Sequence, residues 1–424
     1  MKLQLFSLFL FLGVLGFAQY TYIPDDKFEQ ELIFWGHDDV LDGKVLTENI
    51  ESLTFLNVSG RGIQDLTGIE DFKSLEHFEC VYNLLTEVNL SLNTKLKNLY
   101  LDNNLFTSLS LPENVNLEVL SCSFNNLQNI DVSENINLVE LNCFNNNLNL
   151  IDVSNNLNLT SLNCAMNNLT ELDVSNNSLL KGIDFHTNFI TDLDFSNNLE
   201  LEFITGYRNQ VLELDLSKLI SLKSLIFNEN RLTNLDLSNN NEMYELAVVL
   251  NNLQTLKLGT GIQGIYCREN KITNLDLRHC PEITILDCRS NDLTQLNIQN
   301  GANEIMVFFA ADGNENLNCI QVDNAAWSET NWLNVDEWST FSENCLMVTN
   351  EQDFSSFQIF PNPTKNVLNF SQELKEFTIY DLSGKLILKG KGNQINVSNL
   401  PNGTYLMKGI TTSGKSINQK FIKN

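Results

Sequence analysis

The sequence is short of positive charge and of histidine. It holds 26 Lys and Arg against 53 Asp and Glu, which gives a net charge of −27 at pH 7. A chain this acidic will not hold nucleic acid by charge, and anionic lipid will repel it. It has only four His, and it contains neither an H-E-x-x-H nor a G-x-S-x-G motif. We therefore expect no enzyme, no cofactor and no nucleic-acid partner.

Long apolar runs are also missing, except at the N-terminus. Residues 1–19, MKLQLFSLFLFLGVLGFAQ, place a Lys and a short apolar run before a polar segment, which is typical of a secretory signal peptide. No other segment reaches the roughly 18 apolar residues that a membrane span needs. We therefore expect an exported protein without a transmembrane segment.

Most of the chain is one phrase repeated. The unit reads L-x-x-L-x-[L/C/F]-x-x-N-x-L-x-x-L-x-[V/L], mostly at steps of 21 residues. Each copy is too short to bury its own apolar face, so the copies must stack. The copies begin at Leu53, Leu75, Leu96, Leu117, Leu138, Leu159, Leu180, Leu201, Leu222, Met243, Ile262 and Ile283, with a degenerate copy expected from Glu304.

This pattern resembles the leucine-rich-repeat family. The resemblance implies an α/β-type solenoid, dominated by short parallel β-strands and curved into an arc, over residues 51–315. The alternating apolar residues of each copy independently favour a short strand with one interior face. Free Cys behaves as a small buried hydrophobe, so we expect thiols in the interior column of Cys80, Leu101, Cys122, Cys143, Cys164, Phe185, Gly206, Phe227, Val248, Cys267 and Cys288.

An Asn occupies the ninth position of each copy, directly after the strand. The chain must turn inward there, which leaves backbone groups without ladder partners, and a side-chain amide can bond the neighbouring turns. We expect a structural role for Asn83, Asn104, Asn125, Asn146, Asn167, Asn188, Asn209, Asn230, Asn251, Asn270 and Asn291.

Residues 20–50 precede the repeats and are predicted to cap the N-terminal end of the solenoid. Pro24 and the acidic residues after it start a short helix. Phe28, Leu32 and Trp35 are expected to form the core of this cap.

Residues 316–348 abandon the period and are predicted to cap the other end. Cys319 and Cys345 lie outside the interior column, and in an exported protein they are predicted to form a disulfide. Cys280 falls in a turn, and the pattern assigns it no role.

After a polar linker at residues 349–356 the composition reverses. Residues 357–424 hold nine Lys and three acidic residues, in alternating segments split by Gly-containing turns, which predicts a small all-β sandwich. The phrases FPNPTKN, IYDLSGKLI, LPNGTYL and KFIKN resemble the C-terminal sorting domain of the type IX secretion system. The resemblance implies contact with that machinery and passage across the outer membrane of a Gram-negative bacterium. A β-sandwich with a ligand of its own is the alternative.

Three further motifs invite a chemical interpretation. The G-x-G-x-x-G at residues 259–264 is followed by the next repeat and not by a helix, so its glycines are predicted to shorten a turn. Asp38-Asp39-Val40-Leu41-Asp42-Gly43 hints at a calcium loop, but Val40 stands where a polar ligand is expected. A column of Asp residues also recurs with the repeat. We favour a role for these carboxylates in forming turns, with cation binding as the alternative. The residues are Asp131, Asp152, Asp173, Asp194, Asp215 and Asp236.

Strand side chains that do not point inward face the concave side of the arc. Exposed aromatic residues among mixed charges on such a scaffold favour a recognition surface for a protein or a glycan. Some of these rings could instead merely cover strand backbone. The candidate ligand-binding residues are Tyr82, Tyr100, Phe124, Phe144, Tyr207, Arg208, Tyr266, Arg268 and Arg289, and no metal ligands are predicted.

The sequence thus predicts a non-enzymatic binding protein, secreted or attached to the outer cell surface. IQDLTGIEDFKSLEHF, at residues 63–78, resembles internalin-type adhesins. The alternative is a structural surface-layer protein that associates with copies of itself, and an enzyme is the third and weakest possibility.

Overall fold

The structure is a computed structural model that describes residues 18–345, 357–412 and 416–424. It divides into two compact units, with the boundary between residues 343 and 344. Residues 1–17 of the predicted signal peptide and the predicted linker at 349–356 lie outside the described residues. Within the described part, neither α-helix has the length and hydropathy of a membrane-spanning helix.

A parallel sheet of 13 three-residue strands forms one face of the first unit. Each strand pairs with the next copy in the same register, so that Leu141 lies beside Leu162 and both are buried. The strands are β3 Phe55–Asn57, β4 His77–Glu79, β5 Asn98–Tyr100, β6 Val119–Ser121, β7 Glu140–Asn142, β8 Ser161–Asn163, β9 Gly182–Asp184, β10 Phe203–Thr205, β11 Ser224–Ile226, β13 Glu245–Ala247, β15 Gly264–Tyr266, β17 Ile285–Asp287 and β19 Phe308–Ala310.

The opposite side of the solenoid is built from turns, joined by short strands toward the C-terminal end. No α-helix occurs between residues 51 and 315, all of which the structure describes. The predicted fold class, a solenoid dominated by short parallel strands, is confirmed. The strands on this side are β12 Asn234–Asp236, β14 Thr255–Lys257, β16 Asn274–Asp276, β18 Gln295–Asn297, β20 Cys319–Gln321 and β21 Thr340–Ser342.

The register of the degenerate last copy differs from the prediction. Phe308 pairs with Ile285, so this copy begins at Met306 and not at Glu304. A 3₁₀ turn at Asn303–Ile305 takes up the additional residues. With Met306 as its first residue, this copy has Asn314 at the ninth position. The Oδ1 atom of Asn314 accepts a hydrogen bond from the Leu293 N–H at 3.1 Å, as the other ninth-position Asn residues do.

The predicted interior column is buried along its whole length, and its cysteines are free thiols. Burial raises the pKa of the Cys80 thiol to about 12, so these thiols are not reactive thiolates. Gly206 makes room within the column, because a Cβ atom there would come within 2.4 Å of the Phe185 ring and 2.6 Å of the Phe227 ring.

The ninth-position Asn residues tie consecutive turns together as predicted. Asn167 donates from Nδ2 to the Cys143, Cys164 and Ala165 carbonyls at 3.0, 3.1 and 3.2 Å. Its Oδ1 atom accepts from the Leu148 N–H at 2.9 Å. This one side chain therefore satisfies polar groups of its own repeat and of the preceding repeat.

A second Asn ladder, which the sequence analysis did not identify, runs along the opposite side. Asn156 donates to the Val132 and Asn135 carbonyls at 3.0 and 2.9 Å, but its buried Oδ1 atom has no partner. Leu219 and Cys280 replace Asn in this ladder, which gives Cys280 a place in the core. The ladder consists of Asn93, Asn114, Asn135, Asn156, Asn177, Asn198 and Asn240.

The N-terminal cap consists of β1 Tyr20–Tyr22, α1 Asp26–Phe34, β2 Lys44–Leu46 and a 3₁₀ turn at Thr47–Asn49. Phe28 and Leu32 are fully buried, as expected of cap core residues. Trp35 is 55% exposed, so the expectation that it packs into the core is wrong. It follows the last residue of α1, where its indole N–H donates to Glu31 Oε1 at 2.8 Å.

At the C-terminal end, α2 Ala325–Asn331 and the strand β21 cover the last repeats. Trp332 is buried and stacks on Phe309 at a ring-centroid distance of 4.4 Å. Cys319 and Cys345 are disulfide-bonded.

The second unit is a five-stranded antiparallel sheet. Its strands are β22 Ile359–Phe360, β23 Val367–Asp381, β24 Leu386–Asn396, β25 Gly403–Thr411 and β26 Ser416–Lys423. It has its own apolar cluster, which includes Phe370, Phe377, Ile379 and Phe421.

Candidate functional site

The concave face is formed by the third, fifth and seventh residues of each repeat. The eighth residue, where the predicted site residues Tyr82, Phe124 and Arg208 stand, lies in a left-handed turn after the strand. Its φ is 56° at Tyr82, 52° at Phe124 and 56° at Arg208. Non-glycine residues adopt this conformation at a cost, so the turn is imposed by the ladder Asn that follows it.

A first group of rings lies near the N-terminal end of this face. The His77 ring lies 5.0 Å from the Phe55 ring and 5.4 Å from the Tyr100 ring. Glu79 orients this group, because it contacts His77 Nε2 at 2.8 Å and accepts from the Asn57 amide. Burial and the charges of Glu140, Glu79 and Asp102 raise the pKa of Tyr100.

A second and longer group of rings lies in the middle of the face, and we call it the ring track. It runs from Phe124 to Phe144, His186 and Tyr207, with centroid distances of 5.1, 5.9 and 4.2 Å along the series. Phe144 and His186 belong to copies two repeats apart, and they meet because the intervening Ala165 is small and fully buried. The track is therefore continuous over five repeats.

His186 and Tyr207 are held in place by Asp184. The Asp184 Oδ1 atom lies 2.7 Å from His186 Nδ1 and accepts from the His186 backbone N–H at 3.2 Å. His186 then stacks flat on Tyr207, with the ring planes 11° apart. Burial and the charge of Asp184 raise the pKa of Tyr207, so its hydroxyl stays protonated at neutral pH.

Gly182 leaves an opening in the concave surface beside this group. It lies in β9, one strand from the exposed Phe203 of β10. A Cβ atom built on Gly182 would meet no atom within 4 Å, so packing does not require glycine there. Glycine within a strand often marks a place where a ligand or another backbone approaches closely.

Each of the three candidate arginines of this face lies within 4.0 Å of a carboxylate. Arg289 makes a two-point contact with Asp287, with Nε–Oδ1 and Nη2–Oδ2 distances of 2.8 and 2.7 Å. Arg208 pairs with Glu229 at 3.0 Å, and Arg268 lies 4.0 Å from Glu269. Among the described ion pairs, no Lys or Arg contacts the concave carboxylates of Glu79, Asp102, Glu140, Asp184 and Glu245. The face therefore has a negative balance.

The predicted site residues fall into four sets. Phe124, Phe144 and Tyr207 belong to the ring track, Arg208 lies over the Tyr207 ring at its end, and Tyr100 belongs to the N-terminal group. Tyr82 is 66% exposed and lies apart from both groups. Tyr266, Arg268 and Arg289 lie toward the C-terminal end, where Tyr266 pairs in register with Asp287.

His186, Phe55 and Gly182 also belong to this surface, although they were not predicted from the sequence. The repeat contains a signal for His186, because three of four consecutive copies have an aromatic ring at the seventh position, namely Phe144, His186 and Tyr207. The gap at Gly182 becomes visible only when the third position is compared across neighbouring strands.

The Asp ladder lies on the opposite side of the solenoid, where each carboxylate accepts hydrogen bonds within its own turn. Asp152 Oδ1, for example, accepts from the Ser154 N–H at 2.9 Å, and the Ser154 hydroxyl and N–H lower the pKa of this carboxyl. Within the described residues, no group of three or more His, Cys, Asp or Glu side chains could hold a metal ion. The glycines at residues 259–264 shorten a turn, since a Cβ atom on Gly261 would lie 2.1 Å from the Asn241 carbonyl oxygen.

The two units are similar to different known proteins. Residues 358–424 match the family model of the secretion-system C-terminal sorting domain. The second unit is a type IX sorting domain. A domain of this kind directs export from bacteria, either to the cell surface or to the medium. Curated protein sequences give no match to the chain.

The first unit has the leucine-rich-repeat fold. The functional domain of InlJ from Listeria monocytogenes, described as including a cysteine ladder, is 22% identical with a TM-score of 0.56, over 96% of this chain and 99% of that one. The internalin InlF of the same organism is 23% identical with a TM-score of 0.64, over 69% and 90% of the two chains. YopM from Yersinia enterocolitica is 23% identical with a TM-score of 0.52, over 68% and 59%.

Proposed function

We propose that the solenoid binds a protein or a polysaccharide on its concave face, without catalysing a reaction. The sorting domain delivers it to the outer surface of a Gram-negative bacterium, where it stays attached or is released. The ring track beside the opening at Gly182 is the observation that carries this proposal. Aromatic rings contribute strongly to recognition, and a continuous track offers a ligand an extended contact.

The charge of the face narrows the ligand class. Since Arg208 and Arg289 are hydrogen-bonded to carboxylates and Arg268 lies 4.0 Å from one, the face offers little unpaired positive charge to an anionic ligand. The carboxylates without a basic partner favour a neutral polysaccharide or a protein with a basic patch. Added salt should weaken binding of the basic protein and leave binding of the neutral glycan unchanged.

The test is a glycan array and a surface-protein pull-down with the protein produced from residue 20. Gly182→Tyr fills the opening and should weaken a specific hit at least tenfold. Gly264→Tyr is the matched control, because Gly264 occupies the same third position four repeats further on, and it should bind as the parent does. Equal binding by both variants would remove the ring track from the ligand site.

One observation favours a structural, self-associating protein as the second candidate. An exposed aliphatic residue recurs on the side away from the ring track, at Val115, Ile136, Leu157, Leu199 and Ile220. Such a row is an apolar patch that two copies could share. Concentration-dependent dimerisation in sedimentation, abolished by Ile136→Ser with Leu157→Ser, would support this candidate, whereas a monomer at all concentrations would remove it.

The route of export has a separate test. Deletion of residues 357–424 should leave the protein in the periplasm, because the machinery then has no sorting domain to bind. Fractionation of cells that express the two forms measures this directly. Normal surface delivery of the shortened form would contradict the assignment of the route.

A further inference from the structure

The five-stranded sheet of the second unit has one face that is turned away from its own apolar cluster. Phe377 and Ile379 of β23 belong to that cluster and are buried, whereas Thr378 between them faces the other way. Thr378 pairs in register with Lys389 of β24 and with Lys408 of β25. Residues that pair directly share a face of the sheet, so the two lysines flank Thr378 on this side, which we call the lysine face.

A shallow depression in the lysine face gathers further positive charge. Among the described residues that line it, Glu376 is the one acidic residue, so the lining keeps a positive balance. Lys420 of β26 lies in the next row of the same face, because it pairs with Leu406, two residues before Lys408. The basic residues of the lining are Lys375, Lys389, Lys391 and Lys408.

No ion pair neutralises these lysines in the part of the chain that the structure describes. Lys389, Lys391 and Lys408 are exposed, and the ion pairs between described residues all lie in the first unit. There Lys97, for example, pairs with Glu76 at 2.8 Å. An unpaired field of one sign repels itself, and its use on a protein surface is to attract a partner of the opposite sign. The lysine face is therefore suited to an acidic partner.

Apolar side chains lie among the lysines on the same face. Leu386 and Leu406 both pair with Tyr380, and they are 44% and 42% exposed. Ile422, two residues after Lys420 in β26, is 41% exposed. Exposed apolar side chains within a polar rim are typical of a surface that contacts another protein.

The charge of the rest of the chain favours a protein partner over a lipid surface. Residues 1–356 contain 17 basic and 50 acidic residues, against nine Lys and three acidic residues in residues 357–424. An extended anionic bilayer would repel the acidic solenoid that is attached to the lysine face. An acidic patch on a protein is local, and its charge is screened beyond about 8 Å at physiological ionic strength.

We propose that the sorting domain docks on an acidic protein surface of the export machinery through its lysine face. This inference rests on the proposed route of export. An acidic receptor attracts the lysine face and repels the acidic solenoid, so the sign of the charge selects the sorting domain as the part of the chain that docks. Leu386, Leu406 and Ile422 are then covered in the contact, which stabilises the complex once charge has oriented it.

The test is fractionation of cells that express the full chain together with the export machinery. Lys389→Glu combined with Lys408→Glu should lower the amount delivered to the cell surface and the medium by about tenfold or more, because like charges then face each other. The undelivered protein should accumulate in the periplasm. Lys389→Arg combined with Lys408→Arg keeps both charges and should be delivered as the parent is.

Lys365→Glu combined with Lys385→Glu is the matched control. It changes the net charge by the same amount, but the two residues lie in the loops before and after β23, outside the sheet. This variant should be delivered normally. Circular dichroism and the melting temperature of each purified protein check that the variants are folded.

Three results would overturn the proposal. The first is normal delivery of the Lys389→Glu, Lys408→Glu variant in cells that retain the form without residues 357–424 in the periplasm; normal delivery of both would contradict the route of export itself. The second is an equal loss in the loop control, which would assign the effect to net charge. The third is flotation of the purified parent chain, but not of the Lys389→Glu, Lys408→Glu variant, with vesicles of phosphatidylethanolamine and phosphatidylglycerol, which would assign the lysine face to lipid.

Discussion

The interior columns of the solenoid and the columns of its concave face are built on the same repeat, yet they differ in composition. The ninth position is Asn in every copy from Asn83 to Asn291, whereas the seventh changes from Asp102 to Phe144, Ala165 and His186. Hydrogen bonds between repeats hold the ninth position constant, because these Asn side chains bond backbone groups of their own repeat and of the preceding one. Nothing in the packing requires the seventh to vary as it does, so the variation is where recognition can reside.

Breaking an interior column should have the largest effect. Asn167→Leu leaves the Leu148 N–H without its acceptor and removes the hydrogen bonds to three carbonyl groups. It should therefore lower the free energy of unfolding by about 1–3 kcal/mol. Urea unfolding, followed by circular dichroism, measures this loss.

The second Asn ladder supplies the control for that substitution. Asn156→Leu should cost less, because the Asn156 Oδ1 atom has no partner and Leu219 already occupies an equivalent position. Equal losses of unfolding free energy in Asn167→Leu and Asn156→Leu would contradict the expectation that the ninth-position ladder contributes more to stability.

Two glycines sharpen the comparison at a smaller scale. Gly206→Ala places a methyl group against the Phe185 and Phe227 rings and should cost roughly 1–2 kcal/mol by overpacking. Gly182→Ala on the concave face meets no atom and should be neutral, or stabilising by up to about 1 kcal/mol. Chemical unfolding of both variants checks the difference, and destabilisation by Gly182→Ala would show that the opening is structural.

The smallest effect concerns pH. Lys257 and Ser238 lower the pKa of Asp236 to about 2 in the folded chain. Because the pKa of Asp236 is lower in the folded chain than in the unfolded chain, its contacts stabilise the fold at pH values above the usual pKa of Asp. This stabilisation is lost as the pH falls to about 2. Asp236→Asn should therefore reduce the acid sensitivity of the unfolding midpoint only slightly, since the side chain is half exposed. A slope identical to that of the parent would mean that the Lys257 contact contributes nothing.

The repeat made most of the fold predictable, because stacking is the only way in which each copy can bury its leucines. The sorting domain could be recognised from four short phrases. The second Asn ladder was missed, since four of its seven Asn residues stand directly after another Asn in Ser-Asn-Asn phrases. The register of the last copy was missed because a 3₁₀ turn interrupts the spacing. The ring track required three dimensions, because Phe144 and His186 meet across Ala165.

The most direct test is to measure stability and ligand binding together in a Tyr207→Ala, Arg208→Ala double variant. Loss of one ring stack and one exposed ion pair should cost less than about 2 kcal/mol and move the melting temperature by only a few degrees. Binding of any ligand found by the array or the pull-down should fall at least tenfold. A large drop in melting temperature, or binding that persists unchanged, would contradict the assignment of recognition to the concave face.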